Sequence, residues 1–402
     1  MTSRVCGCRL RGGFETVFAN QWEPPGKESQ QFAARCYATR FPDGTLINED
    51  IEQVLADVES GARELPTFDM LVGGFPCQDY SVMTASHGRA HGLVGKKGVL
   101  WWSIYKALEM FAPRYVLLEN VDRLLASPGK KQFGRDFSIM LWCLNNLGYR
   151  VEWRVIVPSE YGMPQRRKRV FIFAERSGGN DWGSDLRARA LNTGVFAEAF
   201  PCVPVDSVHE FVLPGSVDEL QEGFGVGSKG TPFKSVGVMV DGRVFSMRVR
   251  AAEGYPVGAL QAVRVPESEV PECRFLTDEQ VTKFDFYKNR KKVERVSKAG
   301  VPYVFSMGAI PFPDSWDKPG RTILTREGGG GCVRESHVVV RESGRYSRLA
   351  PEELEGLQGF PRGWTDTGLS IMQRGFVMGN ALVVPVVRRV GEVIWARHDG
   401  RV

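Results

Sequence analysis

Long apolar segments are missing from this chain of 402 residues. No run approaches the ~20 successive apolar residues that a helix needs to cross a bilayer. The first residues also lack the apolar core of a secretory signal. The composition, with 43% hydrophobic and 25% charged residues, is that of a soluble globular protein. We therefore expect a cytoplasmic protein that does not associate with membranes.

Paired cysteines are also missing. The eight cysteines are scattered along the chain and include no C-x-x-C pair. Structural zinc sites and disulfide frameworks depend on regularly spaced cysteines, so the sequence predicts neither of them and no metal site. A reducing cytosol suits such a set, and it keeps an individual thiol available for chemistry.

The charge balance is mildly basic, at +5 with an isoelectric point near 8.7. This is compatible with a polyanionic partner but does not require one. Basic residues are concentrated at 166–169 and at 288–298. Each cluster taken alone is better explained as a solvated surface, although the second could also lie on the phosphates of a nucleic acid.

Apolar periodicity predicts a doubly wound, parallel α/β sheet. The predicted strands and helices alternate through the first part of the chain: strands at 16–20, 68–72, 114–118, 150–157 and 169–173, and helices at 28–38, 99–111 and 133–147. A further helix follows residue 50, with Asn48 or Asp50 as its cap.

The pattern changes after residue 176. Residues 177–345 have short apolar runs with many glycines, prolines and charges, and Asp241-Gly242 predicts a β-hairpin among them. Helical signals return after residue 345, and Gly379-Asn380 is expected to open the last amphipathic helix. We therefore predict an α/β domain formed by residues 1–176 and 346–402, interrupted at 177–345 by a smaller, irregular, β-leaning domain.

A thiol follows the strand at 68–72, on the stiff loop Gly73-Gly74-Phe75-Pro76-Cys77-Gln78. Taken alone, this loop leaves a reactive Cys77 and an inert turn residue about equally plausible. Glu119 ends the next strand, and basic residues stand at 165–169. Strand ends gather along one edge of a parallel sheet, so these groups could converge. A thiolate, a carboxylic acid and arginines suit thiolate addition to an electron-poor ring, with a hydrogen bond or proton supplied to a ring nitrogen.

Five motifs occur in order and resemble those of the DNA (cytosine-5) methyltransferases of bacterial restriction–modification systems. They are Gly74-Phe75-Pro76-Cys77-Gln78, Glu119-Asn120-Val121, Gln165-Arg166-Arg167-Lys168-Arg169, Leu357-Gln358-Gly359-Phe360-Pro361 and Gly379-Asn380. The resemblance covers the chain apart from its first residues and the inserted segment. It implies a Rossmann-like methyltransferase domain, with residues 177–345 as the target-recognition domain.

The resemblance also implies roles for individual residues. Cys77 is similar to the nucleophile that attacks C6 of cytosine, and Glu119 to the acid that contacts N3 and the exocyclic amine. Arg167 and Arg169 are similar to the pair that binds the flipped nucleotide. Contacts to DNA are implied for Gln78, Ser81, Gln165 and Thr322. The base must leave the duplex before it can react.

S-adenosylmethionine is the cofactor that the resemblance implies. Trp22 matches the aromatic residue that stacks on the adenine, and Asp50 with Ile51 the pair that brackets it. Gln21 stands where the family has an acidic residue for the ribose hydroxyls, and an amide can also bind them. The other implied pocket residues are Pro76, Leu100, Asn380 and Ala381, the last two at the start of the final helix. For Trp22 and Leu100, an ordinary core position is the alternative.

The family opens with a strand and a Phe-x-Gly-x-Gly loop, and this motif is not found here. Arg11-Gly12-Gly13-Phe14 resembles the end of the helix that follows that loop. We expect either an upstream start, a second polypeptide that supplies the piece, or an inactive copy. Alternative functions are thus a non-catalytic DNA-binding homologue, half of a split methyltransferase, or a tRNA methyltransferase. The expected partners are double-stranded DNA, bound by a monomer, and a cognate restriction endonuclease.

Overall fold

The computed structural model describes residues 13–23, 26, 30–75, 100–178, 182–289, 291–296, 300–329 and 332–400. The chain forms two compact units. The first unit is drawn from Met1–Val157, Lys168–Gly254 and Val386–Val402, and the second from Pro158–Arg167 and Tyr255–Pro385. The boundary therefore falls between Arg167 and Lys168, within one of the sequence motifs.

The first unit alternates strands and helices as far as its fifth strand, and then becomes richer in strands. Its strands are β1 Ala19–Asn20, β2 Leu46–Ile47, β3 Met70–Gly74, β4 Tyr115–Asn120, β5 Tyr149–Ile156, β6 Arg169–Arg176, β7 Cys202–Val212, β8 Val236–Val240 and β9 Arg243–Ala251. Its helices are α1 Phe32–Arg40, α2 Ile51–Glu59, α3 Leu100–Phe111, α4 Arg135–Asn146, α5 Leu186–Ala188, α6 Val195–Ala199 and α7 Val217–Gly223.

Local sequence signals explain several of these elements. Asp50 caps α2, because its side chain accepts a hydrogen bond from the backbone N–H of Glu52 at 3.0 Å. Asp241 and Gly242 join β8 to β9 with positive φ angles of 49° and 76°. Two successive left-handed residues match the right-handed twist of a hairpin, so the predicted turn is confirmed.

Seven strands of the first unit form one mixed sheet in the order β3-β4-β6-β5-β8-β9-β7. The predicted α/β class is confirmed, but the sheet is not wholly parallel. Among the described strands of this sheet, β3 and β4 pair in parallel, and every other neighbouring pair is antiparallel. The reason is that β5 and β6 pair directly with each other, and β8 and β9 are joined by a hairpin. β1 and β2 form a separate parallel pair.

The core of the first unit lies between this sheet and helices α3 and α4. Trp153 of β5 and Phe137 of α4 are fully buried and pack edge to face, with ring centroids 5.3 Å apart. Phe233 meets the Phe137 ring in the same manner at 4.9 Å. Such aromatic contacts add to the free energy gained by burying the rings, so they hold α4 firmly on the sheet.

The second unit contains α8 Asp278–Lys288, β10 Lys291–Val296, β11 Pro302–Met307, β12 Val338–Val340, β13 Tyr346–Arg348, α9 Pro351–Leu357 and α10 Ile371–Asn380. β10 pairs with β11 and β12 with β13, both antiparallel. The unit boundary differs from the one predicted at residue 177. The physical reason is that β7, β8 and β9 continue the main sheet through β5, so residues up to Gly254 belong to the first unit.

The last helix begins later than predicted. Gly379 and Asn380 do not open it, because they end α10, and Ala381 is the C-cap of that helix. α10 itself starts at a capping box in which Ser370 and Gln373 exchange hydrogen bonds. Helix α11 then spans Val384–His398. Among the residues that the structure describes, no helix combines the length and the apolar character needed to cross a membrane.

A buried ion pair holds α9 to the rest of the second unit. The Glu353 carboxylate binds Arg341 through two contacts of 2.7 and 2.8 Å, and neither side chain is exposed. Its oxygens also accept the backbone N–H groups of Val265 and Ala350. An isolated buried charge is unfavourable, so loss of either partner leaves the other without compensation.

We predict that Glu353→Gln lowers the free energy of unfolding by about 3 kcal/mol or more, because Arg341 keeps its buried charge and loses its counter-ion. Urea unfolding followed by circular dichroism measures the change. The matched control is Glu269→Gln, since Glu269 pairs with Arg362 on the exposed surface. This control should leave the midpoint nearly unchanged. Equal effects of the two substitutions would contradict the prediction.

Candidate active site

Polar side chains meet where β3 and β4 end and β6 begins. Glu119 stands opposite Gly74 of β3 on one side and Phe171 of β6 on the other. Glu119 is only 7% exposed, although its strand ends one residue later. A Cβ atom on Gly74 would lie 3.3 Å from Glu119 Oε2. The absence of a side chain at Gly74 therefore lets the carboxylate lie against the backbone of β3.

Arg169 pairs with this carboxylate. Its Nε lies 2.9 Å from Glu119 Oε1, and both side chains are mostly buried. The N–H is not aligned with the oxygen as in a hydrogen bond, so Oε1 keeps unused accepting capacity among the described residues. Arg169 Nη1 donates to the backbone carbonyl of Lys168 at 2.8 Å, which fixes the guanidinium. The result is a carboxylate and a guanidinium cation held together at the edge of the sheet.

Asn120 ties the end of β4 to the end of β3. Its Nδ2 donates to the backbone carbonyl of Phe75 at 2.8 Å. Phe75 is buried and packs against Trp101, with ring centroids 6.3 Å apart. Asn120 belongs to one of the sequence motifs, but the motif indicated no role for it. The structure shows that it fixes the point at which the chain leaves the sheet.

Four predicted site residues lie outside the described part of the chain: Pro76, Cys77, Gln78 and Ser81. Cys77 is two residues beyond Phe75 in the sequence, and Phe75 is the last described residue before this gap. The roles of all four residues remain predictions.

The predicted cofactor residues of the N-terminal part lie around β1 and β2. Gln21 directly follows β1 and is 6% exposed. Its side-chain nitrogen has no hydrogen-bond partner among the described residues, and neither does Oδ1 of Asn20. Asp50 and Ile51 begin α2, and Trp22 is half-buried. A buried amide without a partner is costly in a folded protein, so these atoms suit a bound polar molecule. Sequence reasoning missed Asn20, which gave no signal beyond its place at a strand end.

The cofactor roles of Leu100, Asn380 and Ala381 stay predictions. Leu100 is the first residue of α3 and packs against two apolar clusters of the first unit. These surroundings are those of an ordinary core residue. Asn380 and Ala381 belong to the second unit, at the end of α10.

In the second unit, the side chains of Gln165, Arg167 and Thr322 each donate to backbone carbonyls, and the first two are buried. Arg167 Nη1 donates to the carbonyl of Ile323 at 3.1 Å, and Nη2 to that of Gly379 at 3.2 Å. Gln165 donates to the carbonyl of Leu357 at 3.1 Å, and Thr322 Oγ1 donates to that of Arg166 at 3.0 Å. Arg167 is 3% exposed. These contacts bind the segment 158–167 to the loop that carries Thr322 and to α10.

Lys288 does not belong to a surface cluster for phosphates. It is fully buried, donates to the carbonyl of Ser336 at 2.6 Å and lies 3.5 Å from Asp314. Burial lowers the pKa of its ammonium group to about 8, against the attraction of Asp314. Arg295 of β10, by contrast, is exposed. The cluster predicted at 288–298 therefore begins with a structural lysine.

Comparisons with known proteins agree with the motifs. The family model of the C-5 cytosine-specific DNA methylases matches residues 6–194 and 264–396. The Type II methyltransferase M.Sau3AI of Staphylococcus aureus is 40% identical over 392 residues, which cover 95% of this chain and 90% of the relative. The Type II methyltransferase M.DsaV of Dactylococcopsis salina is 31% identical over 373 residues, covering 92% and 79%.

The fold has counterparts among solved structures. The Dnmt2 methyltransferase of S. pombe superposes with a TM-score of 0.54 at 14% identity, covering 96% of this chain and 92% of that one. This likeness concerns the fold alone. The family model spans the sheet edge with Glu119 and Arg169 as well as the network around Arg167, and the sequence relatives extend over nearly the whole chain. The protein is therefore a member of the C-5 cytosine-specific DNA methylases.

Proposed function

We propose that this protein transfers a methyl group from S-adenosylmethionine to C5 of a flipped-out cytosine in a specific duplex DNA sequence, through a covalent bond between Cys77 and C6. The observation that carries the proposal is the Glu119–Arg169 pair, at 2.9 Å, on the sheet edge from which the chain leads to Cys77. Family membership supports the reaction class, and these described residues support how it is performed.

Glu119 would contact the pyrimidine ring. The residue is mostly buried, and one carboxylate oxygen faces the backbone at Gly74 while the other faces Arg169. A carboxyl group held in this way can donate a hydrogen bond or a proton to N3 and accept one from the exocyclic amine. Both hydrogen bonds stabilise the ring as negative charge builds up in it. Arg169 keeps the carboxyl group in place, and its remaining N–H groups can bind the ring oxygen.

Cys77 would supply the nucleophile. Its thiolate sulfur forms a bond to C6, and the electron pair of the C5–C6 double bond moves to C5. C5 then takes the methyl group. Loss of the C5 proton to a base and cleavage of the S–C6 bond restore the aromatic ring and the thiolate. The hydrogen bond from Asn120 to Phe75 fixes the start of this loop and so limits the positions that the thiol can reach.

S-adenosylmethionine would provide an activated methyl group when bound. The residues present suit its polar groups, because Gln21 Nε2 and Asn20 Oδ1 are buried and without partners among the described residues. These atoms can bind hydroxyl groups as donor and acceptor. Ile51 offers an apolar surface beside them, since it is only 7% exposed at the start of α2.

Duplex DNA must be opened before C5 can be reached, at a cost of roughly a few kcal/mol in stacking and pairing. We propose that sequence recognition lies within residues 177–345. The part of this range from residue 255 onward, in the second unit, is the better candidate, because β7, β8 and β9 are used in the main sheet. The exposed side chains of Arg295 and Tyr303 on the β10–β11 hairpin suit contacts to DNA. Because its relatives are named Type II methyltransferases, we propose a restriction endonuclease as a partner of this protein.

A trapping experiment tests the covalent step. Incubation with S-adenosylmethionine and plasmid DNA containing 5-fluorocytosine should give an adduct that survives denaturing electrophoresis, because fluorine cannot leave C5 as a proton would. Cys77→Ser should abolish the adduct. Cys273→Ser is the matched control, since Cys273 is an exposed free cysteine, and it should leave the adduct unchanged. Absence of any adduct, or an undiminished adduct in Cys77→Ser, would reject the mechanism.

We predict that Glu119→Gln lowers the single-turnover rate of methyl transfer by about 10²- to 10⁴-fold, because the amide cannot protonate the ring. The matched control is Glu175→Gln. Glu175 is also buried in this sheet and paired with an arginine, Arg114, but it lies opposite Tyr115 at the other end of β4. Its substitution should affect stability more than rate. If both variants lose activity in proportion to lost folded protein, Glu119 has no chemical role.

A further inference from the structure

β7 leaves one edge of the main sheet of the first unit open. It is the last strand in the sheet order, and β9 is its neighbour among the described strands. The N–H of Leu213 donates to the carbonyl of Gly242 at 2.8 Å, so Leu213, and by alternation Phe211, directs its backbone groups toward β9. The N–H and C=O groups of Glu210 and Val212 then point to the open side, where another strand can pair with them.

The upstream part of β7 is protected against such pairing, whereas the downstream part is not. Pro204 has no N–H, and the register with β9 shifts between Pro204 and Asp206 and again between Asp206 and His209. Ser207 lies within this irregular stretch and has a positive φ of 61°. Proline and β-bulges are common means by which an edge strand avoids adding another strand. From His209 to Val212 the register is regular, and we call this part the open edge.

An apolar surface continues from the open edge. Val212 is 69% exposed, although valine is more typical of a half-buried strand position. A cleft adjoins the end of the strand, and its lining includes Val212, Pro214, Glu219, Glu222 and Phe224. An extended peptide paired with Val212 would lie beside this cleft, where an apolar side chain could cover the exposed valine.

The charge around the cleft is negative. Residues 210–228 contain four acidic residues and no lysine, arginine or histidine. Three of them, Glu210, Glu219 and Glu222, are exposed and form no ion pair with a described residue. We call these three the acidic patch. The whole chain has a net charge of +5, so the sign of the acidic patch is opposite to that of the chain as a whole.

The fold accounts for only part of this charge. Glu219 lies in the first turn of α7, where the helix dipole favours an acidic side chain. Glu222 lies in the last turn, where the same dipole disfavours one, and Glu210 stands in a strand, where glutamate is uncommon. Arg243 stands opposite Val212 on β9, on the side away from the open edge. The charges of Glu210 and Glu222 therefore point to a partner and not to the stability of their own elements.

We propose that the open edge of β7 binds a basic, extended segment of a partner protein. The main chain of this segment pairs with Glu210 and Val212, its lysine or arginine side chains pair with the acidic patch, and an apolar side chain between them covers Val212. Strand addition of this kind uses main-chain hydrogen bonds for affinity and side-chain contacts for selectivity.

Charge favours this occupant over two others. A second copy of the chain could pair along the same edge about a two-fold axis, but the two acidic patches would then be brought together. Duplex DNA is repelled, because its phosphates have the same sign as the acidic patch. A basic peptide is attracted to it. The inference does not depend on the proposed function, because it concerns binding at the far edge of the sheet and not methyl transfer.

A labelled peptide tests the inference on the full chain. The probe alternates three lysines with two valines, and its binding is followed by fluorescence anisotropy at low salt. Hydrogen exchange read by mass spectrometry should slow across residues 209–213 when the peptide is bound. A matched peptide with glutamates in place of the lysines should bind about tenfold more weakly or not at all.

Two further probes separate strand pairing from adhesion. They carry N-methyl groups on one or the other alternating set of residues. One set of N–H groups faces β7 and the other faces solvent, so one probe should lose about tenfold in affinity and the other should lose little.

The acidic patch provides the corresponding change in the protein. The triple variant with Glu210→Gln, Glu219→Gln and Glu222→Gln should bind the lysine peptide about tenfold more weakly, because three exposed ion pairs are lost. These side chains are exposed, so the fold and the rate of methyl transfer should be unchanged. Glu279→Gln is the control for a change of charge elsewhere, since Glu279 is exposed on α8 of the second unit. It should bind the peptide as tightly as the unsubstituted chain.

Three results would overturn the inference. Equal affinity for the lysine and glutamate peptides would show that charge does not select the partner. A bound peptide with unchanged exchange across residues 209–213 would lie elsewhere on the protein. Protection of these residues without peptide, together with a dimer in sedimentation, would assign the open edge to a second copy. None of these measurements uses catalysis, so they are distinguishable from a failure of the proposed function.

Discussion

The antiparallel pairing of β4 with β6 is the constraint on which the candidate site depends. In an antiparallel pair, one strand begins where its neighbour ends. The first residue of β6, Arg169, is therefore brought beside Glu119 at the end of β4. The parallel pairing of β4 with β3 then adds Gly74 on the other side, where a larger residue would crowd the carboxylate. Opposite strand directions on the two sides of β4 thus assemble three distant parts of the sequence.

The sequence was sufficient to predict the α/β class and most elements near this edge, because apolar periodicity and capping residues are local signals. Asp50 and the Asp241-Gly242 turn are examples. Strand direction was less accessible, since a short apolar strand reads alike in parallel and antiparallel sheets. The sequence nevertheless indicated that Glu119 and the residues at 165–169 could converge, and Arg169 is the member of that motif that pairs with Glu119.

Other features could not be read from local signals. The assignment of β7 to β9 to the main sheet depends on pairing between β5 and β8, which are about eighty residues apart. Lys288 looks in the sequence like part of a basic surface, and only the fold shows that Asp314 and Ser336 surround it. Arg167 is buried and donates to two backbone carbonyls, which no local signal indicates, and its role at a nucleotide stays a prediction. Burial of charged groups is a tertiary property, and composition does not reveal it.

The alternation of burial along residues 165–169 has a consequence for how this protein can vary in length. Gln165 and Arg167 are buried, whereas Arg166 and Lys168 are exposed. In extended chain a shift of one residue exchanges the two faces. A single-residue insertion or deletion here would turn the buried arginine outward and move Arg169 off Glu119. Exposed connections elsewhere tolerate changes in length far better. Related chains should therefore differ freely in loop length but preserve this short stretch without gaps.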